Sequence, residues 1–189
     1  MSIVLVGSTS GSITLQEPAV AGTTTIDLPA TSGTALVAPT ALTVPNTTGT
    51  VMVSGNMPAF GAYGVVATTP SGGTNTKVKV STEYFDTANA YDNATNYRFQ
   101  PTIAGYYQIN GGVCMNSGVS RLMAMIWKNG SEYQTTDINS NTVKLSISTL
   151  LYLNGSSDYV ELYTWNGDGG VAIANNGQTN FNGCLVRSA

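Results

Sequence analysis

The side chains that could carry acid–base chemistry are few in this sequence and poorly placed for it. There is no histidine among the 189 residues. The group that ordinarily exchanges protons near neutral pH is therefore missing, and neither a Ser–His nor a Cys–His nucleophile can be assembled within one chain. The run GSTSG at Gly7–Gly11 carries Thr9 where a nucleophile elbow needs serine. The run NGDGG at Asn166–Gly170 lacks the lysine of a phosphate loop and leads into a strand-like stretch, so it reads as a tight turn. Glu132 with Asp137 is one carboxylate pairing that could serve glycoside hydrolysis, but the 10 acidic residues are scattered through polar loops and no motif supports it. The expectation is a protein without catalytic or cofactor-binding residues.

Ligand binding has more material to work with. The loop DTANAYDNATN carries Asp86, Asn89, Asp92, Asn93 and Asn96, all oxygen donors of the kind Ca²⁺ takes. Their spacing is not that of an EF-hand, and Asp and Asn at such density are foremost turn formers. Aromatic residues beside loops rich in Asn, Asp and Thr can stack on sugars while amides and carboxylates bond the hydroxyls. Tyr91, Tyr97, Tyr133 and Trp165 are the candidates for such ligand-facing loops, with Tyr84 nearby. The same rings could equally plug the ends of a sandwich or the seams between subunits, and both readings stay open.

Composition says what must position these residues. Hydrophobic residues make up 42% and charged residues 9%, the latter against about 25% in ordinary globular domains. A core can be buried, but its polar surface has to come from Thr, Ser, Asn, Gln and Gly, which favour strands and turns over helices. The net charge is -3 and no basic run occurs, which argues against a nucleic acid partner. No apolar run approaches the roughly 20 residues that span a bilayer. The N-terminal MSIVLVGSTS lacks the positive region of a secretory signal. The expectation is synthesis in a cytoplasm and no membrane insertion. Cys114 and Cys184 both lie in apolar stretches and read as small hydrophobes rather than as a disulfide framework.

A repeat occupies the first third. Residues 26–37, IDLPATSGTALV, align without a gap on residues 42–53, LTVPNTTGTVMV, and a looser copy begins at Ile13. Each unit reads as strand, Pro-then-Gly turn, strand. Units this small cannot bury both apolar faces alone and need stacked neighbours or other chains. They resemble the repeats of trimeric viral fibre shafts. Residues 1–55 are accordingly read as an anchoring or shaft region, and residues 56–189 as a separate head.

In the head, short alternating segments recur between turn signals, the pattern of a sandwich or barrel. Tyr107, Ile109, Gly111 and Val113 fall on one side of a strand, with Tyr106, Gln108, Asn110 and Gly112 on the other. Val143, Leu145, Ile147, Leu151 and Leu153 line one face of a second strand, and Val160 and Leu162 one face of a third. Asn129-Gly130 is the strongest hairpin signal. The strand before it is apolar on both sides: Leu122, Ala124 and Ile126 on one, Met123, Met125 and Trp127 on the other. The second side must be covered, either by a like subunit or by a loop of the same chain. Met123, Met125 and Trp127, together with Tyr106, are the residues expected at a trimer interface.

The run FQPTIAGYYQI, with Phe99, Gly105, Tyr107 and Ile109, resembles the centre of the globular-head signature of the complement component 1q family. In that signature an aromatic stands where this chain has Ile109. Phe85 and Tyr91 resemble the preceding aromatic positions, though not at the strict spacing. IWKNGSEY at Ile126–Tyr133, LNGSSDYVEL at Leu153–Leu162 and FNGCLV at Phe181–Val186 are similar to later strands. The resemblance covers about the last two-thirds of the chain. It implies an all-β jelly roll of the complement 1q and tumour-necrosis-factor type, and a compact homotrimer. The preceding repeats resemble those before such heads in bacteriophage fibre proteins. Together these imply a structural protein of the virion, a surface fibre or capsid decoration whose partners are itself and capsid or tail proteins. The alternative is a tail-fibre module that attaches to a host glycan or protein.

Overall fold

The computed structural model describes residues 3–6, 12–15, 52, 55 and 57–189. The chain divides into two compact units, Met1–Thr47 and Thr48–Ala189. In the first, β1 (Ile3–Val6) pairs antiparallel with β2 (Ser12–Leu15), Ile3 opposite Leu15 and Val6 opposite Ser12. The repeats at 26–37 and 42–53 lie outside the described residues, Met52 apart.

Alternation of apolar and polar residues decides the second unit, where each strand has one side to bury. Its strands are β3 (Ala59–Val65), β4 (Thr76–Lys77), β5 (Val80–Asp86), β6 (Tyr91–Asp92), β7 (Arg98–Phe99), β8 (Gly105–Val119), β9 (Leu122–Lys128), β10 (Ser131–Ile138), β11 (Thr142–Leu153), β12 (Val160–Asn166) and β13 (Asn180–Ser188). They form two antiparallel sheets, one ordered β11-β8-β13-β3-β5, the other β10-β9-β12-β7-β6 with β4 also on β12. Tyr107, Ile109 and Val113 of β8 point inward and are fully buried, as the alternation predicts. The β9–β10 hairpin turns on Asn129 and Gly130, both at positive φ (53° and 77°), the two-residue turn this dipeptide favours.

What joins the sheets is aromatic. Phe60 of β3 stacks on Phe99 of β7 (centroids 4.3 Å apart) and on Tyr91 of β6 (4.9 Å), and Phe181 of β13 meets it edge-on at 5.1 Å. Tyr107 of β8 packs edge-on against Phe99 at 5.6 Å, its hydroxyl donating to the Ile103 carbonyl at 2.7 Å. Each such ring pair adds about 0.5–1.5 kcal/mol beyond its buried area. The aromatic motif read from the sequence is thus the inter-sheet clamp. Gly105 and Gly183 are part of it: a Cβ on Gly105 would collide with the Arg187 carbonyl, and one on Gly183 would lie 2.5 Å from Ile109 Cδ1.

Two alternation readings change in the structure. Val143 is 46% exposed, because the β11–β8 register slips between Thr142 and Lys144 and takes it out of the row that Ile147, Leu151 and Leu153 keep. Glu161, which alternation sets on the side opposite Val160 and Leu162, is nonetheless buried and ion-paired with Lys77, which pins the two-residue β4 onto β12. These placements predict that Phe99→Ala lowers unfolding stability by about 3–5 kcal/mol. Val143→Ala should stay within about 0.5 kcal/mol. Denaturant titrations of the full chain at matched concentration would check both, and a large loss at Val143 would contradict the slip.

Candidate functional site

The four residues expected at a subunit interface do not share a face. Met123, Met125 and Trp127 of β9 lie on the outer side of the six-stranded sheet, whereas Tyr106 of β8 lies on the outer side of the five-stranded one. The chain itself closes most of the β9 side. Met125 is 1% exposed, and Met123 and Trp127 are half-buried. Their cover comes from in-register neighbours on β12: Met125 faces Tyr163, Met123 faces Trp165, and the Trp127 ring stacks on Tyr163 at 4.1 Å. Arg121 reaches over Trp165 while bonding Asp137, the two tied at 2.6 Å. Within the chain Met125 is thus covered, and Met123 and Trp127 keep part of their surface exposed. The sequence shows both rows of aromatics but not that β9 and β12 are neighbours.

Unpartnered apolar surface collects on the outer side of the five-stranded sheet instead. Leu150 (53% exposed), Tyr106 and Tyr152 form an apolar strip on the β11–β8 edge, the two tyrosine rings edge-on at 5.6 Å. At the opposite edge a register slip in β5 against β3 turns both Tyr84 and Phe85 outward, and Tyr84 stacks on Tyr63 at 4.2 Å. The Phe85 ring lies over Gly61, where a Cβ would come within 2.9 Å of it. Beside that ring lies a groove of 490 Å³ lined by Ala59 and Gly61, with Tyr84 and Phe85 on one side and Asn182 and Cys184 on the other.

Between strip and groove runs a polar ladder. Gln108 Nε2 donates to Ser148 Oγ at 2.8 Å, Ser148 Oγ to Asn110 Oδ1 at 2.8 Å, and Asn110 Nδ2 to Asn182 Oδ1 at 2.9 Å. The ladder itself is uncharged, while exposed Arg187 stands opposite Tyr106 beside the strip and exposed Lys144 lies further along β11. Cys184, read as a core residue, is exposed on this face, and Cys114 is buried in β8; both are free thiols.

The residues expected to meet a ligand are scattered. Tyr91 belongs to the core, 5% exposed, its hydroxyl donating to the Val80 carbonyl at 2.8 Å, and burial pushes its pKa far up. Tyr97 sits between β6 and β7, at one edge of the six-stranded sheet, while Tyr133 sits on β10 at the other. Trp165 is half-buried beneath Arg121. The Asp/Asn-rich loop spends its carboxylates on turns. Asp86 accepts from the Ala88 and Tyr91 amides, and Asp92 from the amides of Ala94, Thr95 and Asn96 and from the Asn96 side chain. Among the described residues no three His, Cys, Asp or Glu side chains cluster as metal ligands. This loop does border a polar cleft of 500 Å³ together with Arg98, Gln100 and Ser156.

No protein-family model matches the chain, and no curated protein matches its sequence. Solved structures do share its architecture. Murine APRIL at pH 8.0 aligns over 68% of this chain and 98% of its own with a TM-score of 0.53 and 10% identity. The globular domain of zebrafish complement 1qA aligns over 70% and 98% with a TM-score of 0.52 and 20% identity. Eiger TNF from S. frugiperda aligns over 71% and 94% with a TM-score of 0.53 and 10% identity. The fold is a jelly roll of the complement 1q and TNF type, as the aromatic motif implies.

The Asp92 turn yields a titration. Hydrogen bonds, that of the Thr95 amide foremost, pull the Asp92 pKa from 3.8 to about 2. The depressed value means that the turn is stabilised above about pH 4 and loses that stabilisation as pH falls through about 2. A carboxyl-carbon NMR titration should place its midpoint near 2; a midpoint near 4 would show that the turn is not held this way.

Proposed function

We propose that this chain is a non-enzymatic structural protein of a bacteriophage virion, a homotrimeric surface fibre or capsid decoration protein anchored by its N-terminal region. The observation that carries the self-association is the outer face of the five-stranded sheet. Among the described residues ten large hydrophobics are at least 40% exposed, and six stand there: Tyr84, Phe85, Tyr106, Leu150, Tyr152 and Val186. Scattered apolar residues are normal on a monomer, whereas two clusters on one face, Tyr106, Leu150 and Tyr152 at one edge and Tyr84 and Phe85 at the other, favour a contact surface. Burying one such side chain is worth about 1.5–3 kcal/mol. The virion assignment draws on the repeats at 26–53 and their likeness to fibre shafts, and on the need of such small units for neighbouring chains. A particle component whose folding is coupled to assembly gains stability by mass action.

A second reading is favoured by the polar cleft at Arg98: attachment to a host glycan. Its amides at Asn89, Asn93, Asn96 and Gln100, with the Ser156 hydroxyl, offer donors and acceptors for sugar hydroxyls.

Light scattering of the purified chain should give three copies. Leu150→Asp should weaken association by at least about 2 kcal/mol, roughly 30-fold, while Tyr133→Asp on the other sheet leaves it intact. A wild-type monomer at micromolar concentration would refute self-association. Antibody to the head should decorate intact particles in negative stain, and bare particles would refute the virion assignment. Saturable glycan-array binding that Arg98→Gln removes would establish the second reading, and a blank array would discard it.

A further inference from the structure

Arg98 is held in place by a ring and not by a carboxylate. It stands on β7, opposite Asp92 of β6 on one side and Glu161 of β12 on the other. Both acids are engaged elsewhere. Asp92 accepts from the amides of Ala94, Thr95 and Asn96 and from the Asn96 side chain, and Glu161 is ion-paired with Lys77. Among the described residues the Arg98 guanidinium has no ion pair and no hydrogen bond; its carbon lies 4.3 Å from the centre of the Tyr159 ring. A guanidinium stacked on an aromatic face keeps its N–H edge open for a planar acceptor. Arg98 also lines the polar cleft of 500 Å³, a volume within the roughly 300–1,000 Å³ of small-ligand sites. We propose that this cleft takes an acidic sugar, a hexuronate unit of a polysaccharide, with its carboxylate on the Arg98 fork. The proposal rests on the glycan reading and deepens it by naming the class of sugar.

The lining favours an acid over a neutral sugar. Its one aromatic residue, Tyr91, is 5% exposed and its hydroxyl is spent on the Val80 carbonyl, so no ring face is offered for a sugar to stack on. A neutral sugar would depend on side-chain amides, and two of these are already used. Gln100 Nε2 donates to the Ser156 carbonyl at 3.1 Å, and Asn96 Nδ2 donates to Asp92 at 2.7 Å. Asn89 and Asn93 remain to bond ring hydroxyls. A two-pronged bond from a guanidinium to a carboxylate is roughly twice as strong as a neutral hydrogen bond, which makes it the strongest contact this cleft can form. Arg98 is the one cation in the lining and Asp92 stands beside it. The cleft therefore suits a single negative charge and opposes a doubly charged phosphate.

The test presents the full-length chain with uronate oligosaccharides of the galacturonate, glucuronate and mannuronate series, the carboxyl-reduced form of each, and sulfated dextran oligomers. The expected result is saturable binding to at least one uronate series, at least tenfold weaker once its carboxyl groups are reduced. Arg98→Gln should lose at least tenfold with the sheet signal in circular dichroism unchanged. Arg98→Lys, which keeps the charge without the fork, should recover only part of the loss. Asn93→Ala leaves Arg98 and its stack in place and should weaken binding severalfold.

Equal binding of a uronate and its reduced form, or a preference for the sulfated oligomers, would overturn the acidic-sugar assignment and leave glycan attachment standing. Uronate binding that ignores both Arg98→Gln and Asn93→Ala would put the sugar elsewhere and overturn this site. Binding to no member of the set would instead remove the glycan reading itself.

Discussion

The clamp of Phe60, Tyr91, Phe99, Tyr107 and Phe181 is the constraint from which the rest of this domain follows. The five rings come from both sheets, three from the five-stranded and two from the six-stranded one. Because strand side chains alternate, fixing Phe60, Tyr107 and Phe181 inward fixes their neighbours outward. Gly61 beside Phe60, Tyr106 and Gln108 beside Tyr107, and Asn180 and Asn182 beside Phe181 have no other side to occupy. The outer face is thus determined by the core. A slip of one residue in β8 would put Tyr106, Gln108 and Asn110 into the interior, where their polar groups would cost several kcal/mol.

The two sheets solve the exposure of their outer sides differently. On the six-stranded sheet, aromatic rings of β9 and β12 lie in register and charged side chains close over them, with Arg121 on Trp165 and Lys77 tied to Glu161. Such cover is self-sufficient. On the five-stranded sheet the middle of the outer side holds short amides, a serine and glycines, and long charged side chains come near it only at the margin, Lys128 over Tyr152 and Arg187 opposite Tyr106. Few long charged side chains are available anywhere in the chain, and most of those near this unit's strands are spent on the first sheet. Low charge content thus leaves one broad side covered by its own charged side chains and the other with exposed aromatic and aliphatic residues.

Much of this was legible in the residues and some was not, for definable reasons. Period-two alternation identified the buried rows of β8, β11 and β12, since the pleat reports directly on which side meets the core. The Asn129-Gly130 turn was legible because few dipeptides accept positive φ twice in succession. Strand adjacency was not. Met125 looked uncovered because nothing local says that β12, some 35 residues on, lies beside β9 and supplies Tyr163. Register slips were equally invisible: Val143 leaves its row, and Tyr84 and Phe85 turn to the same side, through irregularities that alternation by itself forbids. Tyr91 was read as a loop aromatic from its Asp and Asn neighbours, but its ring completes the clamp and only the backbone around it forms the turn.

The hairpin tip carries a chemical liability as well as a structural role. Asn129 is bonded from both ends of its amide: its nitrogen donates to Asp158 at 2.7 Å, and its oxygen accepts from the Tyr159 backbone at 2.9 Å. An asparagine followed by glycine is the pair most prone to lose ammonia with age, becoming a carboxylate. That change would set a second negative charge against Asp158 and leave a donor position empty. A single hydrolysed amide would then loosen the join between the β9–β10 tip and the approach to β12.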